Sequence, residues 1–334
     1  MTANIQRIGV VGAGAWGTAL AANAAQQGRR VVLWAREAAV VAAVNESHRN
    51  TMFLPDVALD PGIKAIAELA HVCDADAVML VAPAQFLRPL CRELAAHWRP
   101  GTPALICAKG IEQHSGELMS EVVAAELSGA RLAVLSGPTF AAEVAKGLPA
   151  AVTLACEEDA LGAALVEALG SPHFRPYLSS DVVGAQIGGA VKNVLAIACG
   201  IVSGRRLGDN ARAALITRGL AEMIRLALAK GASRETLMGL SGLGDLVLTC
   251  SSEQSRNMSL GLELGRGARL TDILAERRSV AEGVASAPAV LALAGRLGVE
   301  MPIAAAVDAI LHHDASVDEA IAGLLSRPFK GEWD

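Results

Sequence analysis

Short apolar runs alternate with longer helical stretches through the first half of the chain. One run passes through Ile8-Gly9-Val10-Val11 into a glycine cluster. Residues 31–34, 77–81, 104–107, 132–135 and 151–155 are further runs of four or five mostly apolar residues. Runs this short, separated by helical segments, predict a mainly parallel sheet covered on both faces. After about Asp181 the pattern changes. Residues 184–201, 210–229 and 284–297 read as helices rich in Ala, Leu, Ile and Val, with no convincing strand among them. Two domains follow from this change, 1–183 and 184–334, with the boundary between residues 179 and 189.

The first apolar run ends in Gly12-Ala13-Gly14-Ala15-Trp16-Gly17, a G-x-G-x-x-G spacing that opens an Ala-rich helix predicted over 18–27. In this context Gly12 permits a tight turn, Gly14 lets the backbone approach a pyrophosphate, and Gly17 lets the helix pack close to the strand. The helix start then presents amides and the positive end of its dipole to phosphates. The fold class is therefore an α/β N-terminal Rossmann-type dinucleotide-binding domain with a mainly parallel sheet, followed by an all-α C-terminal domain. Ligands on such sheets bind beyond the carboxyl ends of the strands. The informative loops are thus those after Val11, Trp34, Val81, Cys107 and Leu135.

The chain has 334 residues, 52% of them hydrophobic, and a net charge of −5. No global basic field points to nucleic acid. Six cysteines are scattered without a C-x-x-C pair, which argues against a metal site or a disulfide framework and suits a reducing, cytoplasmic setting. The first strand begins near Ile5, so no signal peptide is expected. The longest apolar stretch, 187–203, carries Lys192 and Asn193 near its middle, and reads as a buried helix rather than a transmembrane segment.

Several polar groups stand out against this background. Arg36 follows the second strand, where an Arg suits a ribose 2′-phosphate; Glu37 beside it is the feature an NADH site would use, and a solvated surface Arg is the plain alternative. Lys109 ends a central strand, where it could face an anion or a carbonyl oxygen, or snorkel to solvent. Ser136-Gly137-Pro138-Thr139-Phe140-Ala141 forms a turn whose amides could hold an oxyanion. Lys192-Asn193 interrupts an apolar helix. Burying a Lys is costly unless it is paired or gives up its proton, so Lys192 is a candidate acid/base group unless it lies on a narrow wet stripe. Asp245 stands alone among apolar residues and could pair with it. Ser255-Arg256-Asn257 falls in an expected polar loop, where Arg and Asn could grip a phosphate.

Taken together and in order, these segments resemble NAD(P)-dependent glycerol-3-phosphate dehydrogenase, the bacterial type most closely. The resemblance rests on residues 12–21, Trp34-Ala35-Arg36, residues 81–85, Ala108-Lys109-Gly110-Ile111-Glu112, residues 136–141, Lys192-Asn193-Val194, Gly244-Asp245-Leu246, residues 249–252, Ser255-Arg256-Asn257 and residues 281–283. It implies reversible hydride transfer that reduces dihydroxyacetone phosphate to sn-glycerol 3-phosphate for glycerophospholipid synthesis. It implies Lys192 as the acid/base group, with Lys109, Asp245 and Thr249 as further catalytic residues. Substrate contacts would come from Lys109, Gly137, Thr139, Lys192, Asn193, Asp245, Ser255, Arg256 and Asn257. Cofactor contacts would come from Gly12, Gly14, Ala15, Trp16, Gly17, Arg36, Phe53, Lys109, Ala141, Arg256, Val280 and Glu282. Arg36 favours NADPH, with NADH the alternative, and the resemblance admits a homodimer. Phe53 stands where the family often has Tyr, so a hydroxyl contact is lost while the ring can still pack. Thr139 stands where Ser is common and keeps the hydroxyl.

Two other readings compete. A hydroxyacid or ketopantoate-type reductase would share the architecture, but a substrate without phosphate leaves Arg256 and Asn257 unexplained. A dinucleotide-binding redox sensor without chemistry should lack the Lys192/Asp245 constellation.

Overall fold

The computed structural model describes residues 5–277, 281–329 and 331. The chain forms two compact units. The first comprises Met1–Lys109 and Met119–Ala185; the second comprises Gly110–Leu118 and Gln186–Asp334. A single cut at 183/184 therefore does not describe the division, because the short excursion after Lys109 belongs to the second unit.

The first unit holds an eight-stranded sheet: β1 (Arg7–Val11), β2 (Arg30–Trp34), β3 (Lys64–Ile66), β4 (Ala77–Leu80), β5 (Pro103–Ile106), β6 (Arg131–Ser136), β7 (Ala150–Ala155) and β8 (Phe174–Ser179). Their spatial order is β3-β2-β1-β4-β5-β6-β7-β8. Only β6 and β7 pair antiparallel. Helices α1 (Ala15–Gln26), α2 (Ala38–Ser47), α3 (Leu87–Ala95), α4 (Met119–Glu126), α5 (Ala141–Ala145) and α6 (Asp159–Leu169) complete it.

Side-chain alternation along the strands divides the core into two layers. Ile8, Val10, Met79 and Leu105 join one hydrophobic cluster, while Val11, Val78, Leu80 and Ile106 join the other. Both faces are therefore covered, which is why the strands read as continuous apolar runs. The register pairs Val11 with Trp34 and Leu80, Leu80 with Ile106, and Ile106 with Val134. The loops after β1, β2, β4, β5 and β6 consequently emerge along one sheet edge.

The second unit is helical: α7 (Val182–Gly204), α8 (Asp209–Ala229), α9 (Arg234–Met238), α10 (Asp245–Ser251), α11 (Arg256–Gly265), α12 (Leu270–Glu276), α13 (Glu282–Arg296), α14 (Pro302–His312) and α15 (Val317–Leu325). Helix α7 is long and apolar enough to cross a membrane by composition, but 89% of its apolar window is buried inside the protein. It runs parallel to α11, backbone against backbone. A Cβ on Gly200 would come within 2.2 Å of Met258 O, one on Gly261 within 2.0 Å of Ile197 O, and one on Gly265 within 2.5 Å of Ile201 O. Facing G-x-x-x-G pairs, Gly200/Gly204 and Gly261/Gly265, make this approach possible.

Candidate active site

In the first unit the glycine-rich turn has the geometry its spacing predicts. Gly12 has φ +115°, a conformation that side-chain-bearing residues rarely adopt. A Cβ on Gly17 would meet Gly12 O at 1.8 Å, so helix and turn touch only because none is there. The space a Cβ on Gly14 would take is open. Gly14 is the N-cap of α1 and offers no side chain to its first amides, and no acidic residue lies in the first turn. The helix begins at Ala15, three residues earlier than expected. Open backbone, unspent amides and a positive helix end fit a dinucleotide pyrophosphate. The indole Nε1 of Trp16 is buried without a partner among the described residues.

Asn50, which nothing in the sequence singled out, holds this turn. Its fully buried side chain donates to Ala13 O at 2.7 Å and to Thr18 Oγ1 at 2.8 Å, and its Oδ1 accepts the Phe53 amide at 3.1 Å. The half-buried Phe53 packs on the sheet's hydrophobic cluster. Arg36 lies just past β2 with its side chain 75% exposed, and its guanidinium donates to Glu37 Oε1 at 3.0 Å. Lys109 Nζ donates to Gly137 O at 2.9 Å, and Thr139 Oγ1 donates to the same oxygen at 3.3 Å. Gly137 has φ +150°, and its missing Cβ allows the turn to lie against Val152. Ala141 begins α5.

In the second unit Lys192 is buried, not on a wet stripe; its side chain is 8% exposed and that of Asp245 is 0%. Lys192 Nζ donates to Asp245 Oδ1 at 2.5 Å and to Thr249 Oγ1 at 2.9 Å. Asp245 and Thr249 stand one turn apart on α10, and Thr249 Oγ1 also donates to Asp245 at 3.3 Å. A π-helical turn, Leu240–Gly244, precedes Asp245. A Cβ on Gly188 would lie 2.3 Å from Ser241 O, so α7 meets this turn through bare backbone, one helical turn before Lys192. Such π turns recur at functional sites.

Asn193 and Asn257 are both buried. Asn257 Nδ2 donates to Asn193 Oδ1 at 3.0 Å, and Asn257 Oδ1 accepts the Gly283 amide at 2.9 Å. This chain of amides links α7, α11 and the first turn of α13, where Glu282 stands. Ser255-Arg256-Asn257, expected in a polar loop, instead starts a helix. Ser255 is its N-cap and accepts the Met258 amide at 3.2 Å, so the polar character of the segment is that of a cap. Arg256 is exposed at the first helical position, and its carbonyl accepts from Arg277 at 2.8 Å. Val280 lies outside the described residues. All six cysteines are free and buried, and burial pushes the thiols of Cys73, Cys91 and Cys156 above their ordinary range, that of Cys91 to about 12.

Comparison with known proteins agrees with these features over nearly the full chain. The family model for the NAD-dependent glycerol-3-phosphate dehydrogenase N-terminus matches residues 7–162, and that for its C-terminus matches residues 181–322. Glycerol-3-phosphate dehydrogenase (NAD(P)+) of Caulobacter vibrioides is 61% identical over 327 residues, covering 98% of this chain and 99% of that protein. The enzyme of the same name from Parvibaculum lavamentivorans is 58% identical over 99% of this chain and 100% of its own length. The crystal structure of glycerol-3-phosphate dehydrogenase from Coxiella burnetii superposes with a TM-score of 0.93 at 40% identity, covering 97% of this chain and 99% of that one. With a glycine-rich turn shaped for a dinucleotide and a buried Lys–Asp pair on a helical scaffold, this chain belongs to the NAD-dependent glycerol-3-phosphate dehydrogenase family.

Proposed function

We propose that this chain reduces dihydroxyacetone phosphate to sn-glycerol 3-phosphate, in preference with NADPH, and that Lys192 supplies the proton. The buried contact of Lys192 with Asp245 and Thr249 carries this reading. An ammonium held this far from water is stabilised by the carboxylate beside it, and two of its protons are directed by fixed acceptors. Nζ is thereby held at one position, which general acid catalysis requires. The nicotinamide, when bound, supplies or accepts the hydride. In reduction Lys192 gives a proton to the substrate carbonyl oxygen; in oxidation its neutral amine takes that proton from the alcohol. Asp245 and Thr249 keep Nζ aligned throughout.

The remaining roles divide along the chain. Residues 1–183 hold the dinucleotide, with the glycine-rich turn at the pyrophosphate, Arg36 at the ribose and its 2′-phosphate, and Lys109 near the reacting carbonyl. Residues 184–334 carry the acid/base pair and the substrate grip, in which the exposed Arg256 at the start of α11 meets the substrate phosphate. Arg36 must exchange Glu37 for that 2′-phosphate. An exposed neighbouring ion pair contributes little, so the exchange is cheap. The buried free thiols fit a cytoplasmic enzyme, and the reading extends to a homodimer, which analytical ultracentrifugation tests.

The deciding assay follows NADPH absorbance with and without dihydroxyacetone phosphate. Oxidation dependent on that substrate is expected. Oxidation with a 2-oxo acid instead would identify a different reductase, and binding of NADPH without turnover on either would identify a sensor.

A further inference from the structure

Helices α7 and α11 end side by side, and a cavity of about 390 Å³ opens at their C-terminal ends, lined by Ser203, Gly204, Arg205, Arg206, Gly265 and Arg266. Three arginines thus stand among its lining residues, with no acidic residue.

The arginines are not needed to cap the helices. The carbonyls of Ile201, Val202 and Ser203 accept the amides of Arg205, Leu207 and Arg206. Those of Leu262, Glu263 and Leu264 accept the amides of Arg266, Ala268 and Gly267. Two of the three charges have no carboxylate partner among the described residues. Arg205 pairs with Asp318 at 3.0 Å, yet its Nε is buried with no partner among the described residues. The carboxylate of Glu263, on α11 just before the cavity, is bound to Arg277. Among the described residues no carboxylate pairs with Arg206 or Arg266, and both are exposed. Arg206 sits at φ +57° as the left-handed residue that closes α7, its amide bonded to Ser203 O and that of Leu207 to Val202 O.

We infer that this cavity binds a phosphate-class anion, a phosphomonoester or a diphosphate, between Arg205, Arg206 and Arg266. Planar guanidinium forks match phosphate oxygens in pairs, and two of the three arginines carry no competing carboxylate among the described residues. The site is distinct from the substrate grip. Arg266 lies ten residues beyond Arg256 at the opposite end of α11, roughly 15 Å at the rise of an α-helix. The anion comes either from solution or from the headgroup of a lipid, and the test distinguishes the two.

The full-length protein is titrated calorimetrically with inorganic phosphate and pyrophosphate, as wild type, as Arg206→Gly/Arg266→Ala, and as Arg256→Ala. Glycine suits the left-handed position, so the double variant should keep its melting temperature and its turnover. A second double variant, Arg206→Lys/Arg266→Lys, keeps charge but not the fork and should be intermediate. For a soluble ligand, the Gly/Ala variant loses one binding event that Arg256→Ala retains, with affinity down about tenfold to a hundredfold per arginine removed. For a headgroup, co-sedimentation with phosphatidic acid–phosphatidylcholine vesicles falls in the Gly/Ala variant, while the phosphate titrations stay unchanged. Wild type and Gly/Ala variant behaving alike in both titration and sedimentation would overturn the site.

Discussion

Lys192 Nζ and Asp245 Oδ1 lie 2.5 Å apart, both side chains shut away from water, one on α7 and the other at the first position of α10. Neither charge is tolerable there without the other. Removing one partner of such a pair leaves a buried charge and costs about 3–5 kcal/mol. Lys192→Ala should therefore lose turnover by about 10²–10⁴-fold and also lose stability, while NADPH binding is retained. Adding Asp245→Asn should recover stability but no activity. Denaturant melts and single-turnover rates on both variants check this, and a Lys192→Ala enzyme with half its kcat would refute the assignment.

Arg36 is exposed, and among the described residues Glu37 is the group that holds it. Arg36→Ala should raise KM for NADPH much more than for NADH. Equal rises would place the guanidinium against the adenine, which both cofactors share.

The substrate phosphate is assigned to Arg256. Charge-assisted hydrogen bonds contribute roughly 1.5–3 kcal/mol each, so Arg256→Ala should lower kcat/KM for dihydroxyacetone phosphate about tenfold to a few hundredfold. Unphosphorylated dihydroxyacetone, a poor substrate, should be reduced as before. Parallel losses on both substrates would move the phosphate grip elsewhere.

Glu222 on α8 is 2% exposed, and its carboxylate accepts the amides of Ile303 at 2.7 Å and Ala304 at 3.3 Å in the first turn of α14. Burial pushes its pKa up to about 7, against the pull of those amides and of Arg225 and Arg327. The folded protein thus holds this proton when the unfolded chain, at an ordinary 4.5, has released it. Stability should fall as pH rises from about 4.5 to 7, by roughly 3 kcal/mol for a shift of this size. Glu222→Gln should flatten that slope in chemical denaturation at pH 5, 6, 7 and 8. A slope that persists in the variant would assign the pH dependence to another group.

Gly261→Ala would place a Cβ 2.0 Å from Ile197 O, so α7 and α11 must part. Overpacking of this kind typically costs 1–3 kcal/mol. The melting temperature should drop, and KM for dihydroxyacetone phosphate should rise because Asn257 withdraws from Asn193. An unchanged KM would show that the amide pair tolerates the shift.

How far the molecule was legible beforehand depended on distance along the chain. Strands buried on both faces announced themselves as apolar runs, but β8 did not: of its six residues only Phe174 is buried, and Pro176 sits in its middle, as suits an edge. β3 is only three residues long. Lys192 was conspicuous because an apolar helix makes a single Lys costly, and Asp245 for the same reason. Asn50 was invisible, since its partners Ala13 and Thr18 lie 37 and 32 residues away and an Asn in a loop signals only a turn. Ser255-Arg256-Asn257 reads as loop in the sequence because a capping segment and a loop share their polarity. The excursion of Gly110–Leu118 into the second unit leaves no trace in hydropathy at all.

The contact between α7 and α11 carries a consequence for how this enzyme can change over generations. When two side chains crowd each other, enlarging one can be offset by shrinking the other. At Gly200, Gly261 and Gly265 the opposing atoms are carbonyl oxygens, present whatever residue is encoded there. No second substitution can make room. These positions should stay glycine independently of one another, and variation in the surrounding helices should flow around them.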